Sequence, residues 1–283
     1  RGAYPTSRLV DGAHAGFNVA VRVHLDAAAA TRGVLSLRGA WMANGNEVNV
    51  TVKLPKGESN TTLTTTASAS EVHLWWPVGL GGAPHLYNLT VTFTPAGEDA
   101  AATPAASATR TVGFRYIALV TGNDTDSSYV IHAASSEGTS RHGLYVRVNG
   151  VPIFSRGANV IPMEEYEGRL SADAHVRMVE AAVGGRFNML RVWGGGMFLP
   201  DAFYDACDQN GVLVYHDMQY AQSGHYPRTT STQERELRHS IRRLASHASI
   251  AIWDGCNECQ VVMGTNTAIY ATFVMTVVAE EDV

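Results

Sequence analysis

Apolar and polar positions alternate with a period of two through the first 120 residues, which is how a strand buries one face and exposes the other. Turn-forming residues such as Asn44-Gly45 and Pro55-Lys56-Gly57 separate the alternating sets, and residues 95–108 suit a loose loop. About seven short strands with regular breaks predict an antiparallel sandwich. The clearest sets lie at residues 17–23, 48–54, 72–74, 86–93 and 112–116.

The pattern changes after residue 122. Residues 144–148 and 151–155, joined by Asn149-Gly150, predict a tight hairpin. Strands and amphipathic helices then alternate, which predicts a parallel sheet. Four such units make at most half of a (β/α)8 barrel, which takes about 250 residues. The predicted strands are 159–161, 189–193, 212–216 and 250–253, and the helices are 171–183, 200–208, 232–246 and a last one from about 268.

This organisation predicts a multidomain protein of β and α/β type. Residues 1–120 form a β-sandwich, 121–141 a linker, and 142–283 the first half of a TIM-barrel domain. The length of 283 residues suits about two domains. Because the chain starts without methionine and runs from a helix into charged residues, we expect it to be part of a longer protein.

Composition narrows the function classes. The chain has 45% hydrophobic residues, 17% charged residues and a net charge of −5, which is typical of a globular protein. No run of lysine or arginine provides a surface for nucleic acid. The longest apolar stretch, at 270–279, is shorter than the roughly 20 residues that cross a bilayer. The glycines at 194–196 lack the lysine and hydroxyl residue of a phosphate loop, and no cofactor is predicted.

Chemistry in a parallel sheet gathers beyond the C-terminal ends of the strands. The residues expected there include Trp193, Asp217 and Glu258. An indole and two carboxylates at one mouth suit a neutral polyhydroxylated ligand, because sugars stack on aromatic rings and hydrogen-bond to carboxylates. The sequence therefore predicts a carbohydrate as the partner of this edge.

Several segments resemble the β-mannosidase branch of the family 2 glycoside hydrolases, in the order in which that family has them. Upstream, residues 74–79 with Tyr87, and residues 112–115, resemble the immunoglobulin-like domain that precedes the barrel in the family. The resemblance implies an immunoglobulin-like β-sandwich followed by a partial (β/α)8 barrel. The barrel segments that carry it are 156–162, 188–196, 201–208, 211–217 and 250–258.

The resemblance also implies roles for individual residues. Glu258 matches the general acid/base, and Asn257 matches the residue that hydrogen-bonds the sugar 2-hydroxyl. Trp193 matches the tryptophan that lines the sugar pocket. The nucleophile of the family is a second glutamate on a later strand, to which no residue here corresponds. Three further residues match pocket positions or their neighbours: Asn159, Arg191 and Asp217.

The implied reaction is removal of terminal, non-reducing β-D-mannose from an oligosaccharide with retention of configuration, by two carboxyl groups about 5 Å apart. We expect Glu258 to be partly screened from water, and the 283-residue chain alone to have no turnover. The alternatives are a sibling specificity (exo-β-glucosaminidase, β-galactosidase or β-glucuronidase) and a non-catalytic carbohydrate-binding protein. The sequence does not indicate an oligomeric state.

The chain departs from the family pattern close to the predicted sugar. Val160 occupies a position where many relatives have tryptophan, and His216 replaces a frequent glutamine. Asp254 and Cys256 replace residues of the common Trp-Cys-Gly-Asn-Asn-Glu stretch. These changes bear on which sugar is accepted.

The cysteines and histidines favour no metal site. His216, Asp217 and His225 invite a zinc interpretation, but Cys256 and Cys259 lack a second matching pair, and no metal is predicted. A disulfide between these two cysteines suits an exported protein and requires a tight turn. We expect Cys207 in the core, and Trp75 and Trp76 to pack at a domain junction.

Four sequences fit the acceptor pattern for N-linked glycans, and all lie in or beside the predicted sandwich. Their placement favours a secreted or lysosomal protein. The four asparagines are Asn49, Asn60, Asn88 and Asn123.

Overall fold

The structure is a computed structural model that describes residues 14–43, 46–97, 105–120, 145–221, 227–259 and 268–282. Four predicted features lie outside these residues. They are the Asn44-Gly45 turn, the 121–141 linker, the acceptor pattern at Asn123, and His225.

Residues 17–112 form two antiparallel sheets, which we call the antiparallel region. Its strands are β1 (Phe17–Ala27), β2 (Thr31–Gly39), β3 (Val48–Leu54), β4 (Gly57–Ala67), β5 (Tyr87–Pro95) and β6 (Ala106–Val112). One sheet pairs β1 with β4, and the other has the order β3-β2-β5-β6. Side chains from both sheets meet in one apolar core that includes Leu35, Leu37 and Leu63.

The structure corrects two of the strands predicted for this region. Residues 72–74 form no strand, and Leu74 makes only an isolated bridge to Phe114. The strand predicted at 112–116 lies earlier, as β6, in part of the predicted loop. The sequence pattern also missed β2 and β4. Five of the eleven residues of β4 are threonine and its other residues are mostly polar or small, so it lacks an apolar period, although β-branched residues favour a pleated strand.

A three-stranded sheet follows the antiparallel region along the chain. It consists of β7 (Ile117–Val120), β8 (Tyr145–Val148) and β9 (Val151–Ile153). The predicted hairpin is confirmed, because Asn149 and Gly150 connect β8 to β9 with φ values of 48° and 80°. Positive φ at both positions is what a two-residue turn of type I′ requires.

Residues 157–281 contain four parallel strands with helices, which we call the parallel region. The strands are β10 (Gly157–Val160), β11 (Met189–Val192), β12 (Leu213–Asp217) and β13 (Ile250–Asp254), and they are neighbours in this order. The helices are α1 (Ala172–Gly184), α2 (Asp201–Asn210), α3 (Ser231–Leu244) and α4 (Thr276–Glu281), with a 3-10 turn at Glu167–Arg169 and a π-helical turn at Tyr270–Met275.

The first three helices begin within one residue of their predicted starts, whereas the last one, predicted from about 268, has a π-helical turn before α4. The hydroxyl of Ser171 accepts a hydrogen bond from the Ala174 N–H at the start of α1, and Thr230 caps α3 in the same way. Leu190, Val192 and Val214 point from the strands into the core beneath the helices. None of the described helices is both long enough and apolar enough to span a membrane.

The two regions meet at the N-terminal ends of the parallel strands. Trp75 is fully buried there, and its indole N–H donates to the Asp208 carbonyl at 2.8 Å. Asn149 donates its side-chain N–H to the Trp75 carbonyl at 2.9 Å. The Arg115 guanidinium donates to the carbonyls of Ala248 and Ile250, at the start of β13. Trp75 therefore packs at the junction, as predicted.

Candidate functional site

Alternate residues of the parallel strands point to the face opposite the helices, which we call the inner face. Strand register places Asn159, Arg191 and Tyr215 side by side on adjacent strands. Asp217 and Asp254 are also paired in register, one layer nearer the C-terminal ends. Residues paired in register share a face of the sheet, so these five polar side chains are collected on the inner face.

Arg191 is the centre of this polar set. Its Nε and Nη2 donate to the two carboxylate oxygens of Asp217 at 3.0 and 2.7 Å. Its Nη1 donates to Asn159 Oδ1 at 3.2 Å, and Nη2 also donates to Asn257 Oδ1 at 2.9 Å. The structure thus joins four of the predicted site residues through one guanidinium, whose planar fork suits this two-point contact with a carboxylate.

The Asp217 side chain is completely buried and fully engaged. Besides Arg191, it accepts a hydrogen bond from the Gly194 N–H at 3.0 Å. Burial raises the pKa of Asp217, while the charge of Arg191 opposes that rise. The ion pair with Arg191 therefore offsets the desolvation cost of burying the Asp217 carboxylate.

Asn257 lies just past the end of β13, and its amide has a defined orientation. Its backbone N–H donates to the Tyr220 carbonyl at 3.0 Å. Because Oδ1 accepts from Arg191, the Nδ2 donor is on the opposite side of the amide group. An amide donor held in this way suits a hydroxyl acceptor of a ligand.

Glu258 follows at once and has an unusual backbone. Its φ is 52°, in the left-handed region that favours glycine, and such a conformation costs on the order of 1–3 kcal/mol. Its side chain is exposed, so the expectation that Glu258 is partly screened from water is wrong for this chain. The described strands supply one wall of the site.

Trp193 follows β11 at the same end of the sheet and is half-buried. Its backbone N–H donates to the Val160 carbonyl at 3.2 Å, which continues the ladder between β10 and β11. A Cβ at Gly195 would overlap the Trp193 ring, and one at Gly194 would overlap the Tyr220 carbonyl. The glycines therefore allow close packing around the indole. The sugar-lining role of Trp193 stays a prediction.

Two further residues belong to the inner face: Asp254, which the sequence analysis placed near the predicted sugar, and Tyr215, which it missed. The Tyr215 hydroxyl donates to Asp254 Oδ2, and the Arg191 guanidinium lies 5.4 Å from the centre of the Tyr215 ring. Burial and the bond to Asp254 raise the pKa of Tyr215. The signal was the period of two, since Tyr215 lies two residues before Asp217 on the same face.

His216 points the other way, beneath the helices. Its Nδ1 bonds to the Asp217 carbonyl and its Nε2 to the Tyr204 hydroxyl, both at 2.7 Å. Burial lowers the pKa of His216 to about 4, so the ring is neutral at pH 7. His216 and the Asp217 carboxylate thus lie on opposite faces of β12. Within the described residues, no three His, Cys, Asp or Glu side chains form a group that would hold a metal ion.

Comparisons with known proteins identify the family of the chain. The family model for glycosyl hydrolases family 2 matches residues 2–115. Over 228 residues, 80% of the chain, the sequence is 33% identical to beta-mannosidase A from Aspergillus aculeatus. The chain belongs to glycosyl hydrolase family 2. It spans 23% of the length of that fungal relative.

Solved structures of larger proteins share the fold of this family 2 chain. A β-D-mannosidase from Dictyoglomus thermophilum superposes with a TM-score of 0.72 at 22% identity, over 95% of this chain and 32% of that protein. An exo-chitosanase from Amycolatopsis orientalis has a TM-score of 0.69 at 19% identity, over 96% and 29%. At these identities the likeness concerns the fold alone.

Two cysteines flank the Asn-Glu pair of the family 2 chain. Cys256 and Cys259 are joined by a disulfide, with their Cα atoms 5.9 Å apart. Cys256 is half-buried and Cys259 is buried. Cys207 is free and buried in α2, as predicted, and burial raises the pKa of its thiol.

Proposed function

We propose that this chain is part of a retaining exo-β-mannosidase, with Glu258 as the general acid/base. The observation that carries the proposal is the hydrogen-bonded set of Asn159, Arg191, Asp217 and Asn257 at the C-terminal ends of the parallel strands. Asn257, the residue before Glu258, is held in this set by its hydrogen bond from Arg191. The relative named beta-mannosidase A, at 33% identity, supports β-mannoside as the substrate class.

The architecture that goes with this function has three parts. In the proposal, residues 1–120 are an immunoglobulin-like β-sandwich, 121–141 a linker, and 142–283 the N-terminal half of a TIM barrel. Four parallel strands with their apolar face under helices support the half-barrel. The nucleophile then comes from a strand of the other half, outside this chain.

The reaction has two steps. First, the protonated Glu258 gives its proton to the glycosidic oxygen while the nucleophilic carboxylate attacks the anomeric carbon, and the bond to the leaving group breaks. Then the Glu258 carboxylate takes a proton from water as the water oxygen attacks the same carbon and releases the nucleophile. Two inversions retain the configuration of the sugar.

The other predicted residues bind and orient the sugar in this proposal. The Asn257 amide donates to the 2-hydroxyl, and Trp193 stacks on an apolar face of the ring. Arg191 fixes the amide by holding Oδ1 at 2.9 Å, while Asp217 and Asn159 hold the guanidinium. Contacts that fix geometry before the reaction contribute to the rate because the bound groups need no reorganisation.

Activity of the full-length protein on a panel of nitrophenyl β-glycosides tests the proposal. We expect mannoside hydrolysis to exceed that of the glucosaminide, galactoside and glucuronide. Preference for another sugar would favour a sibling specificity. Binding of mannosides without hydrolysis would favour the carbohydrate-binding protein. The 283-residue chain alone should show no turnover.

The role of Glu258 has its own test. In full-length Glu258→Ala, hydrolysis of 4-nitrophenyl β-mannoside should fall by about 10²–10⁴-fold, the usual contribution of general acid/base catalysis. Azide needs no general base, so it should accelerate turnover of the 2,4-dinitrophenyl substrate and yield β-mannosyl azide. Full activity of this variant would contradict the assignment.

A secreted or lysosomal location completes the proposal. Asn49, Asn60 and Asn88 are exposed on strands of the antiparallel region, where a glycan would be accommodated. The Cys256–Cys259 bridge suits an oxidising compartment. A mass decrease of the native protein after treatment with peptide N-glycosidase is the expected result. An unchanged mass would contradict glycosylation.

A further inference from the structure

Residues 256–259 form a four-residue turn around the proposed acid/base. The Cα atoms of Cys256 and Cys259 are 5.9 Å apart, below the 7 Å that defines a β-turn. Asn257 and Glu258 are therefore the two central residues of the turn. Glu258 occupies the third position with a φ of 52°, where turns with positive φ normally have glycine or asparagine.

The disulfide closes this turn across its ends. A separation of 5.9 Å between Cα atoms lies within the usual range for a disulfide. A closed four-residue ring has few backbone conformations available to it. A glutamate normally disfavours the left-handed region and would relax out of it. The bridge opposes that relaxation.

The neighbours of Glu258 are fixed to the rest of the parallel region. The Cys256 N–H donates to Asp254 Oδ1 at 3.3 Å, and the Asn257 N–H donates to the Tyr220 carbonyl at 3.0 Å. Cys259 is buried in an apolar cluster that includes Met218 and Phe273. The bridge thus connects the end of β13 to a packed core on the far side of Glu258.

We propose that Cys256 and Cys259 are positioning residues for the acid/base carboxyl, and that opening their bridge weakens acid catalysis. This inference rests on the proposed function of Glu258. In the opening step a dithiol such as dithiothreitol gives two electrons and two protons to the disulfide, which yields two cysteine thiols and an oxidised cyclic disulfide. Glutathione disulfide reverses the change and becomes two molecules of glutathione.

The dependence of the rate on the leaving group distinguishes a misplaced Glu258 carboxyl from a general loss of protein stability. A poor leaving group, as in phenyl β-mannoside, needs a proton from the acid, whereas 2,4-dinitrophenolate leaves without one. On reduction of the full-length protein, we expect kcat/KM for the phenyl substrate to fall about 10-fold, part of the full contribution of acid catalysis. The value for the dinitrophenyl substrate should stay within about twofold, because its first step needs no proton.

Variants assign the effect to this bridge. Cys256→Ser and Cys259→Ser should show the leaving-group dependence of the reduced protein and should not respond to dithiothreitol. Cys207→Ala is the matched control, because Cys207 is free and lies in α2. This variant should respond to reduction as the unmodified protein does.

Thiol labelling followed by peptide mapping reports the bridge independently of activity. Cys256 and Cys259 should resist alkylation until the protein is reduced. Labelling of both without reductant, or an unchanged ratio of the two kcat/KM values on reduction, would overturn the inference while leaving the proposed function intact. If the oxidised full-length protein hydrolyses none of the glycosides, the proposed function is overturned, and the positioning role with it.

Discussion

In the antiparallel region the strand faces that meet are apolar, and hydroxyl pairs such as Thr90 with Thr109 lie on the outer surface. In the parallel region the apolar face lies beneath the helices, while the inner face carries Arg191 and Asp217. Burying a charge is costly unless it is paired. A sheet face that keeps an ion pair and amides, where apolar residues would pack, is therefore the face to examine for ligand chemistry.

The largest expected effect comes from the residue that joins the two regions. Trp75→Ala removes a fully buried indole and its hydrogen bond to Asp208. We expect a loss of about 3–5 kcal/mol in the free energy of unfolding, the usual cost of truncating a buried aromatic residue. Urea unfolding of the full-length protein, followed by fluorescence, measures it.

Trp76→Ala is the matched control for Trp75. Trp76 is only half-buried, so its truncation should cost about 1–2 kcal/mol. Equal losses for the two variants would mean that Trp75 has no special role in joining the regions.

The second effect concerns the inner face. Asp217→Ala leaves the guanidinium of Arg191 without its carboxylate partner. Removing one member of a buried pair costs about 3–5 kcal/mol, and the lower end applies because a quarter of the Arg191 side chain is exposed. Thermal and urea unfolding test this. Asp254→Ala, which removes a partner of a neutral tyrosine hydroxyl, should cost about 1 kcal/mol, and a larger loss there than at Asp217 would contradict the argument.

The third effect is a pH dependence on the opposite face of β12. The pKa of His216 is lowered to about 4 in the fold, below its ordinary value of 6.5, because burial disfavours the charged ring. The unfolded chain therefore binds more protons between these pH values. The contribution of the neutral ring is complete above pH 6.5 and is lost as the pH falls towards 4.

His216→Gln removes this titration and is the measurement that isolates it. Between pH 7 and pH 5, the unmodified protein should lose about 1–2 kcal/mol more stability than the variant. Parallel curves of unfolding free energy against pH for the two proteins would contradict the prediction.

The smallest effect belongs to the outer surface of the antiparallel region. The hydroxyls of Thr90 and Thr109 bond across β5 and β6 at 2.9 Å, and both residues lie on the outer face of the sheet. Thr90→Ala should cost no more than about 0.5–1 kcal/mol, the usual size of a cross-strand pair. A loss as large as that of Asp217→Ala would contradict the contrast between the two faces.

The predictability of the fold differed between the two regions for a physical reason. The helices of the parallel region carry cap residues such as Ser171, and they alternate with short strands that have an apolar face, so sequence patterns locate the four units. In the antiparallel region, β4 has five threonines and few apolar residues, and it is identified only by its pairing with β1. Pairing between distant segments leaves little trace in a local pattern.

The sequence predicted which residues belong to the candidate site, but it did not predict which of them are hydrogen-bonded to one another. The resemblance supplied Asn159, Arg191, Asp217 and Asn257, and the structure shows that one guanidinium links them. Which residue touches which depends on the register of four strands, and residue spacing along the chain does not encode it. The same register brings Tyr215 and Asp254 together across β12 and β13.

The hydrogen bonds of Arg115 give β13 a further property. The strand is fastened to the junction at its first residues and carries the Asn257–Glu258 turn just beyond its last. An extended strand can lengthen very little, so a displacement of one end along its axis moves the other end as well. A displacement of Arg115 at the junction would therefore reach the proposed proton donor through a single short strand.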